Sequence, residues 1–439
     1  MGASGRTETT GKQKTSLRKW CFLLTIAFAI VLIIFYSLQI KPDNIILKEN
    51  ITNFDEEKFR VIKRMLENLK KERGEQTTWR STVTKIIPWR KTKQDKLVLL
   101  YTGFFGNTPW GWLKDTSAFN VWEGMTCPFY RCSITYDKSL FKKSDAVLFH
   151  AEDLSPGAEL DALQLARPNT QRWVYFPTES PVNVPESHIV NDVFNWTMSF
   201  RPSSDIFRPY GFYYPVDKNY ERPESLLEFL ESKDLLAVWL ASHCGLLRDK
   251  YIRRLKQFMN IDVYGKCGSG VGGTSGKCIQ DSPDCKKHLK RYKFFFAFEN
   301  SFCTDYITEK YWFSLMLGVV PVVLGGASYD ETVAIPGSYI NAMNFTSIKA
   351  LAEYLKRLDN NDKEYNKFFE WRNKYKVVAS APWACQLCAA LHIDQKPKVQ
   401  DHLDVFWGRY QQCGRKEDFI KKVIDEQPLT PIKHKYSGR

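Results

Sequence analysis

The feature that most constrains what this chain can fold into is an apolar run that stops at polar residues and continues into a helical pattern. Residues 294–298 read as a buried parallel strand, because every side chain there is aromatic or alanine. Glu-Asn-Ser follows at 299–301, and a stretch with helical spacing begins near Asp305. Open α/β sheets bind ligands where strands end and helices begin. Lys310 and the positive end of this helix could therefore hold a diphosphate, although an ordinary turn with a solvated ion pair fits the local pattern as well.

Further apolar runs repeat this arrangement along the chain. They read as buried strands at 96–101, 145–150, 172–176, 235–240, 261–265 and 319–326, with helical segments between several of them. Strands that alternate with helices predict α/β domains built on parallel sheets. A linker that begins at Tyr220 separates the runs into two groups. We therefore expect an N-terminal domain at 96–220, a C-terminal domain at 221–392 and a polar C-terminal tail at 393–439.

Glu179 is the first candidate for a reacting group. It closely follows the run at 172–176, within the sequence Pro-Thr-Glu-Ser-Pro at 177–181. A carboxylate at the carboxyl end of a parallel strand lies where such sheets carry out chemistry. A helix cap or turn cap is the alternative role that these residues alone leave open.

The N-terminal region predicts a membrane anchor. Residues 20–40 are almost unbroken apolar sequence, long enough to cross a bilayer once. Five basic residues precede them against one acidic residue, so we expect 1–19 to stay in the cytosol and the rest to lie across the membrane. A cleaved signal peptide is the alternative, but its apolar core is shorter, about 7–15 residues.

Residues 41–95 read as a charged stem between the anchor and the first domain. An apolar stripe at steps of three and four residues indicates a short helix within it, at Phe59, Ile62, Leu66 and Leu69. Two heptads fit a solitary helix or a homodimer formed through the stem, and we favour the solitary helix.

Cysteines and charge agree with that topology. Ten of the eleven cysteines lie beyond the predicted anchor, an even number that suits disulfides in an oxidising lumen. Glycosylation sequons, usable only there, begin at Asn50, Asn195 and Asn344. A net charge of +14 favours anionic ligands or an anionic membrane surface. The sequence has neither zinc-finger spacing nor a dense basic stripe, so we expect no nucleic-acid partner.

Several motifs, taken together, resemble the α1,3-fucosyltransferases, glycosyltransferase family 10. They are Phe-Glu-Asn-Ser at 298–301, Asp-Tyr-Ile-Thr-Glu-Lys at 305–310, Val-Pro-Val-Val-Leu-Gly at 320–325, Asp-Val-Tyr-Gly at 262–265, Asn-Trp-Thr-Met-Ser-Phe-Arg at 195–201 and Ser-Asp-Ile-Phe at 204–207. Two positions depart from the family pattern: His243 replaces the usual asparagine, and Phe200 stands where tyrosine is common. A three-cysteine insertion at 267–285 is more similar to invertebrate members than to vertebrate Lewis enzymes.

The resemblance implies a GT-B fold, in which two Rossmann-like domains face each other across a cleft. It also implies an inverting transfer of L-fucose from GDP-fucose, in α1,3 linkage, to N-acetylglucosamine of a glycoprotein or glycolipid glycan. The acceptor stays open among the N-glycan core, outer lactosamine units and protein-linked glycans. No cofactor or metal is expected, since a DxD motif is missing, and stimulation by divalent cations is left open. A non-catalytic relative that binds glycans or assists trafficking is the alternative function.

The resemblance also assigns roles to individual residues. Glu179 matches the family's proposed general base, while Arg248 and Lys310 match its two diphosphate-binding cations. Charged groups of this kind suit proton transfer and stabilisation of a leaving phosphate. Three further residues match donor-pocket positions: Asn300, Tyr306 and Glu309.

Cysteine pairing and location follow from the same resemblance. Vertebrate members link a cysteine pair like Cys127 and Cys132 to a C-terminal pair like Cys385 and Cys388, so we expect the same two cross-links here. A local bond between Cys385 and Cys388 is the alternative. The layout of tail, anchor and stem is that of a type II, single-pass Golgi membrane enzyme with a lumenal catalytic domain.

Overall fold

A computed structural model of the chain describes residues 95–123, 125–127, 131–155, 157–184, 190–216, 233–272, 278, 282–330, 333–393 and 399–425. These residues belong to one compact unit. The predicted cytosolic tail, anchor and nearly all of the stem lie outside them, as does the expected domain boundary at 220. Within the described residues, no helix is both long and apolar enough to cross a bilayer.

The strands of the described residues are numbered along the chain. They are β1 (Lys96–Leu100), β2 (Val121–Trp122), β3 (Met125–Thr126), β4 (Cys132–Thr135), β5 (Ala146–His150), β6 (Arg172–Phe176), β7 (Trp196–Ser199), β8 (Ile206–Phe207), β9 (Phe212–Pro215), β10 (Leu235–Leu240), β11 (Asp262–Tyr264), β12 (Tyr292–Phe298), β13 (Val320–Leu324), β14 (Ile340–Asn341) and β15 (Tyr375–Val378).

The α-helices are numbered in the same way. They are α1 (Ala158–Ala166), α2 (Leu247–Leu255), α3 (Pro283–Leu289), α4 (Glu309–Leu317), α5 (Ile348–Asp359), α6 (Asp362–Asn366), α7 (Trp383–Ile393), α8 (Leu403–Trp407), α9 (Arg409–Gln412) and α10 (Glu417–Asp425).

The main strands form two parallel sheets, which confirms the α/β organisation predicted from the alternating runs. The first sheet has the order β4-β1-β5-β6-β7-β8, and the second has the order β11-β10-β12-β13-β14. Every pairing within these two sheets is parallel. Their carboxyl ends therefore gather at one edge of each sheet, where the loops that follow can build a site.

Side chains alternate between the two faces of each sheet. In β12, Phe294, Phe296 and Phe298 pack into one cluster, whereas Phe295 and Ala297 pack into another on the opposite face. All five side chains are buried. A strand covered on both faces has this period of two and needs apolar residues throughout, which is why the run was recognisable from sequence.

The C-terminal segment differs from the polar tail predicted at 393–439. Leu403 and Trp407 of α8 are buried in the core of the first sheet, and Ile420 of α10 is buried in the core of the second. Helix α7, expected with the C-terminal domain, also packs on the first sheet, with Leu387 fully buried there. Helix α8 is only five residues long, too short to show a periodic apolar pattern, so the sequence gives a weak helical signal there.

Disulfides join parts of the chain that are far apart in sequence. Cys127 is bonded to Cys385 and Cys132 to Cys388, the two cross-links that the resemblance implied. The other described cysteines form three bonds that the sequence left open: Cys244–Cys267, Cys278–Cys285 and Cys303–Cys413. The predicted insertion at 267–285 is thus closed by one internal bond and held by a second bond to the loop after β10.

Candidate functional site

The candidate site lies where the loops at the carboxyl ends of the two sheets meet. Glu179 follows β6, and Glu299 follows β12. Ser180 comes directly after Glu179, and Ser301 comes two residues after Glu299. Their buried hydroxyls are joined by a 2.8 Å hydrogen bond. This contact connects residues 121 positions apart and brings the two strand ends together.

Glu299 organises the start of helix α4. One carboxylate oxygen accepts the backbone N–H of Thr308 at 2.8 Å, and the other accepts the Thr308 hydroxyl at 2.8 Å. A negative group at a helix N-terminus is favoured by the helix dipole. Burial raises the pKa of Glu299 above its ordinary value, against the opposing effects of Lys310 and Thr308. Glu299, which the sequence analysis did not select, therefore already occupies the helix end considered for a diphosphate.

Lys310 is held between two carboxylates in the first turn of α4. Its ammonium lies 3.3 Å from Glu299 and 3.0 Å from Glu309, and it donates to the Thr308 hydroxyl at 2.7 Å. Burial works against its charge, but the two carboxylates hold the pKa of Lys310 above its ordinary value. The side chain of Glu309 is 52 % exposed, whereas that of Glu299 is fully buried. An incoming anion could therefore displace Glu309 from Lys310 more readily than Glu299.

Arg248 reaches the same place from helix α2 of the second sheet. Its guanidinium donates to the carbonyl of Phe298 at 2.9 Å and to the carbonyl of His243 at 2.9 Å. Its Nε is buried without a hydrogen-bond partner among the described residues. Burial lowers the pKa of Arg248, while the Glu299 carboxylate opposes that shift. The guanidinium is thus fixed beside the last residue of β12, with its buried Nε–H donor still unused.

Tyr306 connects the acidic residue of the first sheet to this cluster. Its hydroxyl donates to Oε2 of Glu179 at 3.0 Å, and Asn183 donates to the same oxygen at 3.2 Å. Burial raises the pKa of Tyr306 well above its ordinary value, so the phenol keeps the proton that it donates. Glu179, which is half-buried, is therefore bonded to a tyrosine that lies four residues before Lys310 in the sequence.

An ion pair supports the loop that carries Tyr306. Asp305 has a φ of 58°, in the left-handed region that few non-glycine residues adopt. Its carboxylate lies 3.5 Å from Nε of Arg201, which extends from the end of β7. Phe200 packs on the ring of Tyr306 with 5.1 Å between centroids. The first sheet thus contacts the loop of Asp305 and Tyr306 through an ion pair and through aromatic packing. The aromatic contact involves Phe200, the position where tyrosine is common in the family.

Two glycines after β13 allow close approach to the loop at 299–303. A Cβ at Gly326 would lie 2.4 Å from the carbonyl carbon of Phe302 and 2.5 Å from the backbone of Cys303. A Cβ at Gly325 would lie 3.2 Å from Cγ of Glu299. Only glycine fits position 326 without a shift of the main chain.

The structure thus brings together all the residues that the resemblance selected for the donor and the base. Asn300 is half-buried next to Ser301, whose hydroxyl donates to it at 3.3 Å. Besides Glu299, the sequence analysis missed Glu152, which follows β5 and contacts the turn of Glu179. Both residues come directly after or just beyond a buried strand, so the rule that selected Glu179 could also have found them.

The three predicted glycosylation sites have different outcomes. Asn195 is buried, and its side-chain oxygen accepts the backbone N–H of Trp173 at 2.7 Å and a bond from Arg167. A glycan on Asn195 would not fit this core, so that prediction is wrong for the folded chain. Asn344 is exposed and stays a prediction, and Asn50 lies outside the described residues.

Comparison with known proteins gives two family matches that cover most of the described chain. Residues 93–211 match the model "Fucosyltransferase, N-terminal", and residues 230–406 match "Glycosyltransferase family 10 (fucosyltransferase) C-term". The chain is 32 % identical over 329 residues to alpha-(1,3)-fucosyltransferase C of Drosophila melanogaster, which covers 69 % of this chain and 75 % of the relative.

A second relative and a solved structure are also similar to the chain. Alpha-(1,3)-fucosyltransferase 4 of Bos taurus is 34 % identical over 303 residues, which covers 60 % of this chain and 74 % of the relative. A crystal structure of an alpha1,3-fucosyltransferase with GDP-fucose superimposes with a TM-score of 0.44 at 14 % identity, over 70 % of this chain and 93 % of the other.

Proposed function

The chain belongs to glycosyltransferase family 10, the fucosyltransferases, and on that premise we propose that it is an α1,3-fucosyltransferase. It moves L-fucose from GDP-fucose to an N-acetylglucosamine of a glycan, by a single displacement that inverts the configuration at C1. The observation that carries the proposal is the convergence of Glu179, Arg248 and Lys310 where the two sheets meet. We assign the two halves to a GT-B arrangement, with the acceptor on the first sheet and the donor on the second.

Glu179 acts as the general base in this proposal. Both of its hydrogen bonds, from Tyr306 and Asn183, converge on Oε2. Oε1 therefore has no hydrogen bond from the described residues and can accept the proton of the acceptor hydroxyl. The oxygen of the acceptor hydroxyl attacks C1 of fucose as it gives its proton to Glu179, while the bond from C1 to the GDP oxygen breaks and GDP leaves. The bond from Tyr306 orients the carboxylate and is itself adjacent to the donor-side cations.

Arg248 and Lys310 stabilise the leaving GDP. Negative charge grows on the diphosphate as its bond to fucose breaks, and fixed cations in a partly buried site interact strongly with that charge. Arg248 offers a planar donor set and Lys310 a point charge. Glu309, the more exposed of the two carboxylates at Lys310, is free to turn to the donor hydroxyls once the diphosphate takes its place. Asn300 and Tyr306 line the same donor pocket.

The disulfides bear on the compartment in which the enzyme works. The described cysteines form five disulfides, which supports an oxidising compartment. We place the enzyme in the Golgi membrane as a type II protein, anchored through residues 20–40, with the catalytic domain in the lumen. No cofactor is required. The acceptor is a glycan that contains N-acetylglucosamine.

The experiment is an assay of GDP release from GDP-fucose with a panel of acceptors, followed by mass spectrometry of the products. The panel compares the N-glycan core with outer lactosamine units and protein-linked glycans. We expect one added deoxyhexose, in α1,3 linkage, on at least one acceptor. Glycan binding without turnover on any acceptor would replace the enzyme with the non-catalytic alternative.

A further inference from the structure

Glu152 makes an unusual set of contacts with the turn that carries Glu179. It lies in the short helix after β5, and β5 is paired with β6, so its side chain reaches the adjacent strand end. One carboxylate oxygen accepts three donors: the N–H of Thr178 at 2.8 Å, the hydroxyl of Thr178 at 3.0 Å, and the N–H of Glu179. Bonds to an ionised acceptor are stronger than neutral ones. The backbone of Glu179 is thus tied directly to a second carboxylate.

The second oxygen of Glu152 lies beside a buried histidine and has no hydrogen-bond partner among the described residues. Nε2 of His150 lies 2.9 Å from this oxygen and 3.0 Å from the Thr178 hydroxyl. Nδ1 of His150 faces Asp153, which in turn accepts the N–H groups of Phe105 at 2.7 Å and Gly106 at 2.6 Å. The side chain of His150 is fully buried and that of Glu152 is 8 % exposed. A continuous chain of contacts therefore connects the loop after β1 to the turn of Glu179.

The opposite side of the turn is fixed as well. Tyr210 donates its hydroxyl to the carbonyl of Thr178 at 2.5 Å. The peptide groups on both sides of Thr178 are consequently engaged, and the freedom left to Glu179 is mainly that of its own side chain. That side chain is then aimed by Tyr306 from the other sheet.

We propose that Glu152 is a positioning residue for the Glu179 carboxylate. It touches neither fucose nor the acceptor hydroxyl, and it acts by holding the backbone from which the base extends. This inference rests on the proposed function, because it presumes that Glu179 is the base. A displacement of about 1 Å in a reacting group can cost roughly a hundredfold in rate. Loss of Glu152 should therefore lower kcat and leave the binding of GDP-fucose unchanged.

The test compares Glu152→Ala and the milder Glu152→Gln with Asp161→Asn, which removes an exposed carboxylate from α1 in the same half of the chain. We expect kcat to fall by about a hundredfold for Glu152→Ala and less for Glu152→Gln, which keeps one acceptor oxygen. The KM for GDP-fucose should not change, and Asp161→Asn should behave as the wild type. An unchanged kcat, or an equal change in kcat and donor affinity, would overturn the inference.

A double-mutant cycle separates positioning from a general loss of structure. In a Glu179→Gln background the base is already gone, so adding Glu152→Ala should lower the residual single-turnover rate by less than about threefold. An equal hundredfold loss in both backgrounds would show that Glu152 acts elsewhere.

Hydrogen exchange provides a readout that needs no activity. In Glu152→Ala, the amides of Thr178 and Glu179 should exchange faster, whereas those in the middle of β6 should not. Should the wild type transfer no fucose, the proposed function fails, yet faster exchange at these two amides would still support the positioning role. Unchanged exchange would refute that role whether or not the wild type is active.

Discussion

The hydroxyl of Tyr306 donates a 3.0 Å hydrogen bond to the carboxylate of Glu179 across 127 residues of chain. Tyr306 belongs to the loop that leads into the Lys310 helix, and Glu179 belongs to the turn that follows a strand of the other sheet. The acidic group of one half is therefore oriented by the half that carries the cations. A movement of the loop at 305–308 should change the proposed base and the proposed phosphate site together.

Replacement of Lys310 by alanine should reduce turnover by about a hundredfold or more, because it removes a cation from the leaving diphosphate. Lys349→Ala, on the exposed face of α5, serves as the matched control and should keep wild-type turnover. The measurement is kcat for GDP release, with circular dichroism to confirm folding. Near-normal turnover of a folded Lys310→Ala protein would remove Lys310 from the catalytic set.

Asp153→Asn should make stability depend differently on pH. Burial would raise the pKa of Asp153, but bonds from His150, Gly106 and Phe105 hold it below its ordinary value. A carboxyl group with a lowered pKa stabilises the fold above its unfolded pKa, near 4, and that contribution disappears as the pH falls through the folded value. We expect Asn to cost about 1.5–3 kcal/mol at pH 7 and progressively less below about pH 4. Urea denaturation across this range is the measurement, and a pH-independent difference would contradict the assignment.

Gly326→Ala should disturb the candidate site, whereas Gly111→Ala should not. A Cβ at 326 collides with the main chain of Phe302 and Cys303, but a Cβ at 111 meets no atom within 4 Å. We expect a loss of about 1–3 kcal/mol in the free energy of unfolding for Gly326→Ala, together with lower turnover, because the loop that follows Glu299 must move. The change at Gly111 should stay within about 0.5 kcal/mol. Thermal denaturation of the two variants is the comparison, and equal stabilities would argue against this packing.

Asn195 and Asn344 offer another matched pair. Asn195→Gln should leave the glycan mass of the secreted catalytic domain unchanged and should cost about 1–3 kcal/mol, because it disturbs a buried acceptor of the Trp173 N–H. Asn344→Gln should remove the mass of one glycan with little change in stability, since Asn344 is exposed. Intact mass spectrometry and thermal denaturation test both statements. A glycan lost on substitution of Asn195 would mean that this segment is folded differently.

The sequence allowed the sheets to be predicted well and the contacts between them poorly. Buried parallel strands need continuous apolar runs, so 294–298 and 172–176 were visible as strands without any tertiary information. The bond between Tyr306 and Glu179, by contrast, depends on how the two halves are placed. No local pattern encodes that placement, and only the family resemblance brought the two residues into one hypothesis.

The burial of single polar residues was also not predictable from the sequence. The Asn-Trp-Thr sequence at 195–197 satisfies the glycosylation sequon. Asn195 nevertheless precedes a fully buried strand, and its side-chain oxygen accepts a hydrogen bond from the backbone of Trp173 inside the core. The positions of Glu152 and Glu299 after buried strands were visible in the sequence, but their roles depend on partners that lie on neighbouring elements. Six cysteines can be paired in 15 ways, so their three bonds were also beyond sequence reasoning.

Helix α7 has a consequence for how the chain is made. The first sheet begins at residue 96, but helix α7, which packs on it, ends at residue 393, and the two cross-links of this helix span 258 and 256 positions. Domains usually fold as they leave the ribosome, N-terminal parts first. Here the strands of the first sheet are made before the whole second sheet, and α7 is made after it. Until then Cys127 and Cys132 lack their native partners, and they are close enough in sequence to bond to each other. We therefore expect the nascent chain to depend on thiol–disulfide exchange to break a non-native disulfide between Cys127 and Cys132.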